Sequence, residues 1–246
     1  MPRFRLLPGA AVAGACLMPL AAAAYDPAAQ FSPTQNPSGP WTYGWSASLG
    51  GAFNTAQRHA PDAAGLDLWM GDVPSDDAPP GFFPLVGHNG TGRPLLSANT
   101  VYVLPGELLL HPGPGGEYAV LRFTADMAGS FALNGRFMSI DLYPGTTDVH
   151  VLVNGQPVFD GMVDTYRAGP SFRSRQALRA GDVVDFAVGF GNGSYYNDST
   201  RLQANISPVP EPSTAALWVS GLALCAAVRG RRRRQQQAAG AAAMPA

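Results

Sequence analysis

The hydrophobic positions of this chain fall into short runs with a period of two. Tyr118, Val120 and Arg122 alternate with Ala119, Leu121 and Phe123. Val149, Val151 and Val153 share one parity over 148–153, and Val184, Phe186, Val188 and Phe190 do so over 182–190. A period of two puts successive side chains on opposite faces of an extended backbone, so these runs predict half-buried β-strands. No stretch between 26 and 208 carries the 3.6-residue period of a long amphipathic helix. Asn154 and Gly155 sit between two such runs and predict a two-residue hairpin in which both turn positions take positive φ. Further turns are expected at 128–130, 144–146 and 180–182, and loops at 27–40 and 72–84. Strands are predicted at 41–48, 67–70, 100–104, 107–110, 117–125, 130–138, 148–153, 157–163, 172–178, 183–190 and 201–206. Together they imply an all-β, antiparallel β-sandwich of jelly-roll-like order.

The ends break this pattern. Arg3 and Arg5 precede an apolar stretch at 6–20 and then Ala21 to Ala24, the order of a secretory signal peptide over 1–24. A linker at 25–40 would lead into the sandwich domain, 41–207. From 208 the chain reads Pro208, Val209, Pro210, Glu211 and Pro212, then an apolar run at 215–228, then the basic cluster of Arg229, Arg231, Arg232, Arg233 and Arg234. The run has 14 residues where a comfortable span needs roughly 20. Those five arginines supply the stop-transfer block, so a single C-terminal transmembrane helix with a cytoplasmic end is expected, followed by a disordered tail at 235–246.

Composition narrows the class. With 246 residues, 46% apolar, 13% charged, 29 Gly and 23 Pro, the chain is neither a charged disordered polymer nor a coiled coil, and its glycines lack the collagen period. All the basic residues are arginine, and between 25 and 208 nine of them face sixteen carboxylates. A segment about seven charges negative repels phosphate backbones, which excludes nucleic acid as a partner and leaves neutral polymers or cations. Cys16 and Cys225 both lie in the end segments, so no disulfide can staple the domain and its core must hold it.

The ordered trio of Pro210, Glu211 and Pro212, a short apolar run and a basic cluster resembles the PEP-CTERM sorting signal of Gram-negative bacteria. That resemblance implies recognition by an exosortase at 208–234 and an exported, inner-membrane-anchored precursor that passes to the cell envelope or an exopolysaccharide matrix. Prolines on both sides of Glu211 favour the extended backbone that a protease can grip. The segment Leu110 to Glu117, the 148–155 hairpin, Gly181, Asp182 and 186–198 resemble an uncharacterised sandwich module of exported bacterial proteins, over 41–206. This second resemblance implies a carbohydrate-binding-module-like sandwich. Its pattern expects Asp where Gln203 stands, so no metal site is carried over.

The residues with glycan-binding chemistry are Asn192, Tyr195, Tyr196, Asn197 and Asp198, in a polar, aromatic loop after a core strand. Tyrosine rings stack on sugar faces while Asn and Asp bond hydroxyls; the alternative is a hydrogen-bonded turn whose tyrosines cover the sandwich end. Trp41, Tyr43 and Trp45 share one parity and would form either an aromatic platform or core. Catalysis has no local motif: no serine sits in a nucleophile elbow, and His59, His88, His111 and His150 lack zinc spacing. His150 is out of phase with the valines around it, which favours a structural or solvent-facing role. Carboxylate pairs can be drawn from Glu107 with Glu117 and Asp182 with Asp185, but spacing between strands cannot place them around a sugar. Calcium at Asp182, Asn197 and Asp198 is allowed by oxygen chemistry without a loop signature, so no metal or other cofactor is assigned. The sequence therefore favours a surface or matrix protein that engages polysaccharide without catalysis, with a carbohydrate-active enzyme or a purely structural matrix component as alternatives.

Overall fold

The computed structural model describes residues 24–73, 82–210 and 212–241. Residues 1–23 of the expected signal peptide at 1–24, Glu211, the end of the tail at 242–246 and much of the 72–84 loop lie outside the described residues. The first half of the chain forms β1 (Trp41–Ser46), β2 (Phe53–Thr55), β3 (Arg58–Pro61), β4 (Asp67–Met70), β5 (Leu85–His88), β6 (Leu95–Ser97), β7 (Val101–Val103) and β8 (Leu108–His111). The second half adds β9 (Tyr118–Thr124), β10 (Gly129–Ser139), β11 (Thr147–Val153), β12 (Gln156–Val163), β13 (Ser171–Leu178), β14 (Val183–Gly189) and β15 (Thr200–Val209), then helix α1 (Pro212–Ala241). All eleven predicted strands form. β2, β3, β5 and β6 come in addition to them: three or four residues are too few for a period to register, and Pro61 and Gly87 weaken the pattern further.

Two antiparallel sheets stack. One has the order β12-β11-β14-β9-β1-β2 and the other β13-β10-β15-β8-β5-β4-β3, with β6 and β7 as a separate hairpin. The β11–β12 turn is as expected, with Asn154 at φ 50° and Gly155 at φ 77°. Between the sheets lies one core in which Trp41, Leu121, Phe123, Val151 and Phe186 of the first meet Leu110, Phe131, Phe137, Phe172 and Ile206 of the second. Rings touch across the gap, Phe123 with Phe131 at 6.3 Å and Phe172 with Phe186 at 5.7 Å between centroids. Trp41 and Tyr43 are fully buried in this core and Trp45 is half-buried outside it, so two of the three aromatics are core.

The outer face of the seven-stranded sheet is apolar as well. Leu68, Leu85 and Leu109 point away from the main core and, with Leu95, Val101 and Val103 of the β6–β7 hairpin and Ile140, make a second cluster. Strands β4, β5 and β8 are thus apolar on both faces, which produces continuous runs such as Leu108-Leu109-Leu110 instead of alternation.

The segment at 25–40 is part of the fold, not a linker. Tyr25 bonds Ile206 in both directions at 2.7 and 3.0 Å, extending the side of β15 that β8 leaves open. Asn36 donates to the carbonyls of Tyr43 and Ala56 and accepts from the Tyr43 amide, all at 2.8–2.9 Å. The sandwich accordingly starts at Tyr25, and β15 carries it through Val209.

Candidate functional site

A concavity lies between the outer face of the seven-stranded sheet, the β6–β7 hairpin and the loop joining β14 to β15. It encloses about 350 Å³. Leu66, Leu68, Leu85 and Leu109 floor it, and Phe82, Phe83, His111 and Tyr195 stand around them. Ser97, Thr100, Asp141, Asn197 and Ser199 supply polar edges. The strands point Leu109 and His111 here because Leu108 and Leu110 face the main core, and side chains alternate.

The aromatic loop reaches this cavity only in part. Tyr195 is buried, 7% exposed, with its ring edge-on to Phe83 at 5.4 Å and to His111 at 5.9 Å. Tyr196 packs 4.6 Å from Tyr195 yet remains 59% exposed, and Asn197 lines the cavity beside it. Asn192 is outside: it accepts from the Ser194 amide and holds its own turn. Asp198 lies behind the loop, fully buried, where Oδ1 accepts from the Thr146 amide and the Thr147 hydroxyl, each at 2.9 Å, while Oδ2 has no partner among the described residues. Burial pushes its carboxyl up to about 6, against those two hydrogen bonds and with help from the negative charges of Asp141 and Asp148. Of the five residues singled out in the sequence, Tyr195, Tyr196 and Asn197 come together, while Asn192 and Asp198 support the loop.

His111, Asp141 and the leucine floor come from segments far apart in sequence. Only the non-alternating leucine run hints at a second apolar surface. His111 has Nδ1 2.9 Å from the Pro112 carbonyl, and since a carbonyl only accepts, the proton sits on Nδ1. Burial lowers its pKa, so the ring is neutral and Nε2 is a bare acceptor. Asp141 is 1% exposed and both oxygens are used, by the Thr100 hydroxyl at 2.9 Å and the Ser199 amide at 2.7 Å.

The other groups with chemistry are engaged in structure. Glu107 is buried against Arg167 at 2.6 Å and Arg201 at 3.3 Å, and Glu117 caps the Gly115 amide. Asp185 takes a two-pronged bond from Arg122 at 2.7 and 2.8 Å, and Asp182 accepts from the Arg179 amide. Neither carboxylate pair drawn from the sequence faces a shared gap. His150 is on the outer face of the six-stranded sheet, as its phase implied, but in a network: Nε2 is 2.8 Å from Asp148, Nδ1 is 2.6 Å from Asp160, and Tyr118 donates to Asp148 at 2.8 Å. With carboxylates at both nitrogens, only the imidazolium satisfies both contacts. Burial opposes that charge, and the hydrogen bonds and charges of Asp148 and Asp160 outweigh it and raise the pKa. Among the described residues no group of three or more His, Cys, Asp or Glu could hold a metal ion.

At the C-terminal end, Val209 pairs with Ser130 as the last residue of β15, and Pro210 follows it exposed. Pro212 opens α1, a position where its fixed φ suits a helix and its missing N–H costs nothing. Two expectations are corrected here. The first is the disordered tail: α1 runs unbroken through Arg229, Arg231, Arg232, Arg233 and Arg234 to Ala241, so 235–241 is helical, its Gln and Ala residues being strong helix formers. The second is the transmembrane helix with its stop-transfer block, because no helix among the described residues is long and apolar enough to cross a membrane. The apolar stretch is rich in alanine and ends at the arginines after 14 residues, and Arg231, Arg232, Arg233 and Arg234, exposed on the same helix, cannot make up its missing length.

No family model matches the chain, and no curated protein does. Solved structures with some similarity include a family 35 carbohydrate binding module from Clostridium thermocellum, 15% identical over 47% of this chain and 78% of that one, at a TM-score of 0.28. A CBM51 module from Clostridium perfringens in complex with methyl-galactose is 13% identical over 63% and 94%, at 0.32. A beta-glucosidase from Kluyveromyces marxianus in complex with glucose is 16% identical over 69% and 20%, at 0.31. At such scores the chemistry of the site has to come from its own residues.

Proposed function

We propose that this chain is an exported, surface or matrix protein whose sandwich binds polysaccharide without catalysis, at the mouth of the cavity. The observation that carries this reading is the exposed Tyr196 ring beside Asn197 at the opening of a concavity large enough for a small ligand. A tyrosine face offers the apolar patch on which a sugar ring stacks, and the Asn amide both donates to and accepts from hydroxyls. A glycan array followed by calorimetry on the full chain tests it. Tyr196→Ala should weaken binding about tenfold while leaving thermal unfolding within a degree or two, since the ring is solvent-exposed. Unchanged affinity would move the site elsewhere.

Export and sorting belong to the same proposal. The Arg3 to Ala24 signal supports secretion, and the Pro210-Glu211-Pro212 handle supports recognition by an exosortase, with release into the envelope or exopolysaccharide. Pro210 is exposed directly after the last strand, where a processing enzyme can reach the chain without unfolding the sandwich. Glu211→Ala should leave the C-terminal helix attached in cells, read as the mass of the mature protein. Normal processing of that variant would remove the sorting assignment.

A further inference from the structure

The mouth and the floor of the cavity differ in chemistry. Tyr196 and Asn197 stand at the opening, but the floor is Leu66, Leu68, Leu85 and Leu109. A sugar ring pressed onto that floor would bury hydroxyls without partners, which is costly. An apolar group there would lose nothing. Leucine- and phenylalanine-lined cavities of about 150 Å³ stay dry and accept benzene, and this one is more than twice that size at about 350 Å³.

Charge excludes other occupants. Among the described residues no arginine lines the cavity, so an anionic headgroup or carboxylate finds no counter-charge there. Asp141 is the one acidic lining residue among them, and both its oxygens are spent on Thr100 and Ser199, so it does not call for a cation. What remains open is a neutral acceptor: His111 bonds Pro112 through Nδ1, and Nε2 has no partner among the described residues. The cavity asks for an apolar body with one hydrogen-bond donor.

We infer, resting on the glycan reading above, that the ligand is a neutral glycan bearing an alkyl, acyl or aryl substituent. The substituent fills the cavity, the sugar lies at Tyr196, and one ligand hydroxyl or amide N–H donates to His111 Nε2. The probes are methyl, octyl and phenyl β-glucosides and β-galactosides, with octyl compounds kept below their micelle-forming concentration, titrated into the full chain by calorimetry.

For the sugar that binds, the octyl or phenyl glycoside should bind about tenfold or more tightly than the methyl glycoside, because apolar area leaves water. Leu109→Phe, which fills the floor, should abolish that gain, bringing the octyl or phenyl affinity down to that of the methyl glycoside on the same variant. If that variant does not fold, Ala98→Phe at the exposed rim serves the same purpose. Equal affinity for methyl and octyl glycosides would overturn the inference while sparing the glycan reading. A gain that survives both filling variants would place the apolar group outside the cavity and overturn it too. Octanol binding as tightly as octyl glycoside would overturn the sugar's part, and no binding of any glycoside would sink both readings.

Discussion

The two faces of the seven-stranded sheet are both apolar and are packed to different ends. The inner face meets the other sheet through interlocked aromatic rings of Phe131, Phe137 and Phe172. The outer face meets a hairpin of two three-residue strands and a loop, and the aliphatic side chains there leave about 350 Å³ open. A sheet-on-sheet interface is broad and repeats every second residue, so complementary side chains can fill it. A short cap cannot cover as much surface, and a cavity is left in the uncovered part. The inner face is closed by packing, and the outer face keeps the opening at which the proposed site lies.

Neighbouring leucines on β8 test that division most strongly. Leu110 faces the inner core and is fully buried, so Leu110→Ala should cost about 4 kcal/mol in urea unfolding, since the packed rings cannot collapse onto the void. Leu109 already borders a cavity, and Leu109→Ala should cost nearer to about 2–3 kcal/mol. Equal costs would mean that the outer cluster is as tightly packed as the inner one.

Next in size is Asp198, whose buried Oδ2 lacks a partner among the described residues. Its folded pKa is raised to about 6, above the ordinary 3.8. The folded state therefore holds the proton more tightly; the resulting stabilisation is full below pH 3.8 and is lost as pH rises through about 6. Asp198→Asn keeps an oxygen for Thr146 and Thr147 and removes the charge. It should stabilise the protein by about 2 kcal/mol at pH 8 and flatten the slope between pH 4 and 6, as read from urea midpoints. Destabilisation at pH 8 would show that the carboxylate has a partner in solution.

The smallest effect concerns the outer face of the other sheet. The His150 pKa is raised from 6.5, so its contribution is complete below that pH and is lost as pH rises through the folded value. Burial would raise the Asp148 pKa, but bonds from His150, Tyr118 and Gly191 hold it below 3.8; its contribution is present above 3.8 and fades as pH falls through the folded value. The network is therefore at full strength between about pH 3.8 and 6.5. Replacing His150 with Gln should cost about 1 kcal/mol at pH 5.5 and less at pH 9, given that Asp160 is 62% exposed. A cost that does not change with pH would mean that the ring stays neutral.

By itself the sequence determined the long strands, the Asn154-Gly155 turn and the all-β class, because alternation and positive-φ turn residues act within a few positions of each other. It also placed three of the cavity's residues, Tyr195, Tyr196 and Asn197, in one loop. Short strands such as β2 and β6 leave no period to read, and the polar segment at 25–40 conceals Asn36, whose three bonds are made to partners up to 20 residues away. The length and apolarity of the C-terminal stretch are visible in the sequence, and the arginine block suggests more than 14 residues can bear. Only the tertiary structure decided that β8 would be covered on both sides, which turned Leu109 and His111 into floor and wall of one cavity. It alone divided the aromatic loop into a buried Tyr195, an exposed Tyr196 and a supporting Asp198. A residue's burial depends on which distant segment covers it, and strand periodicity reports only the direction in which its side chain points.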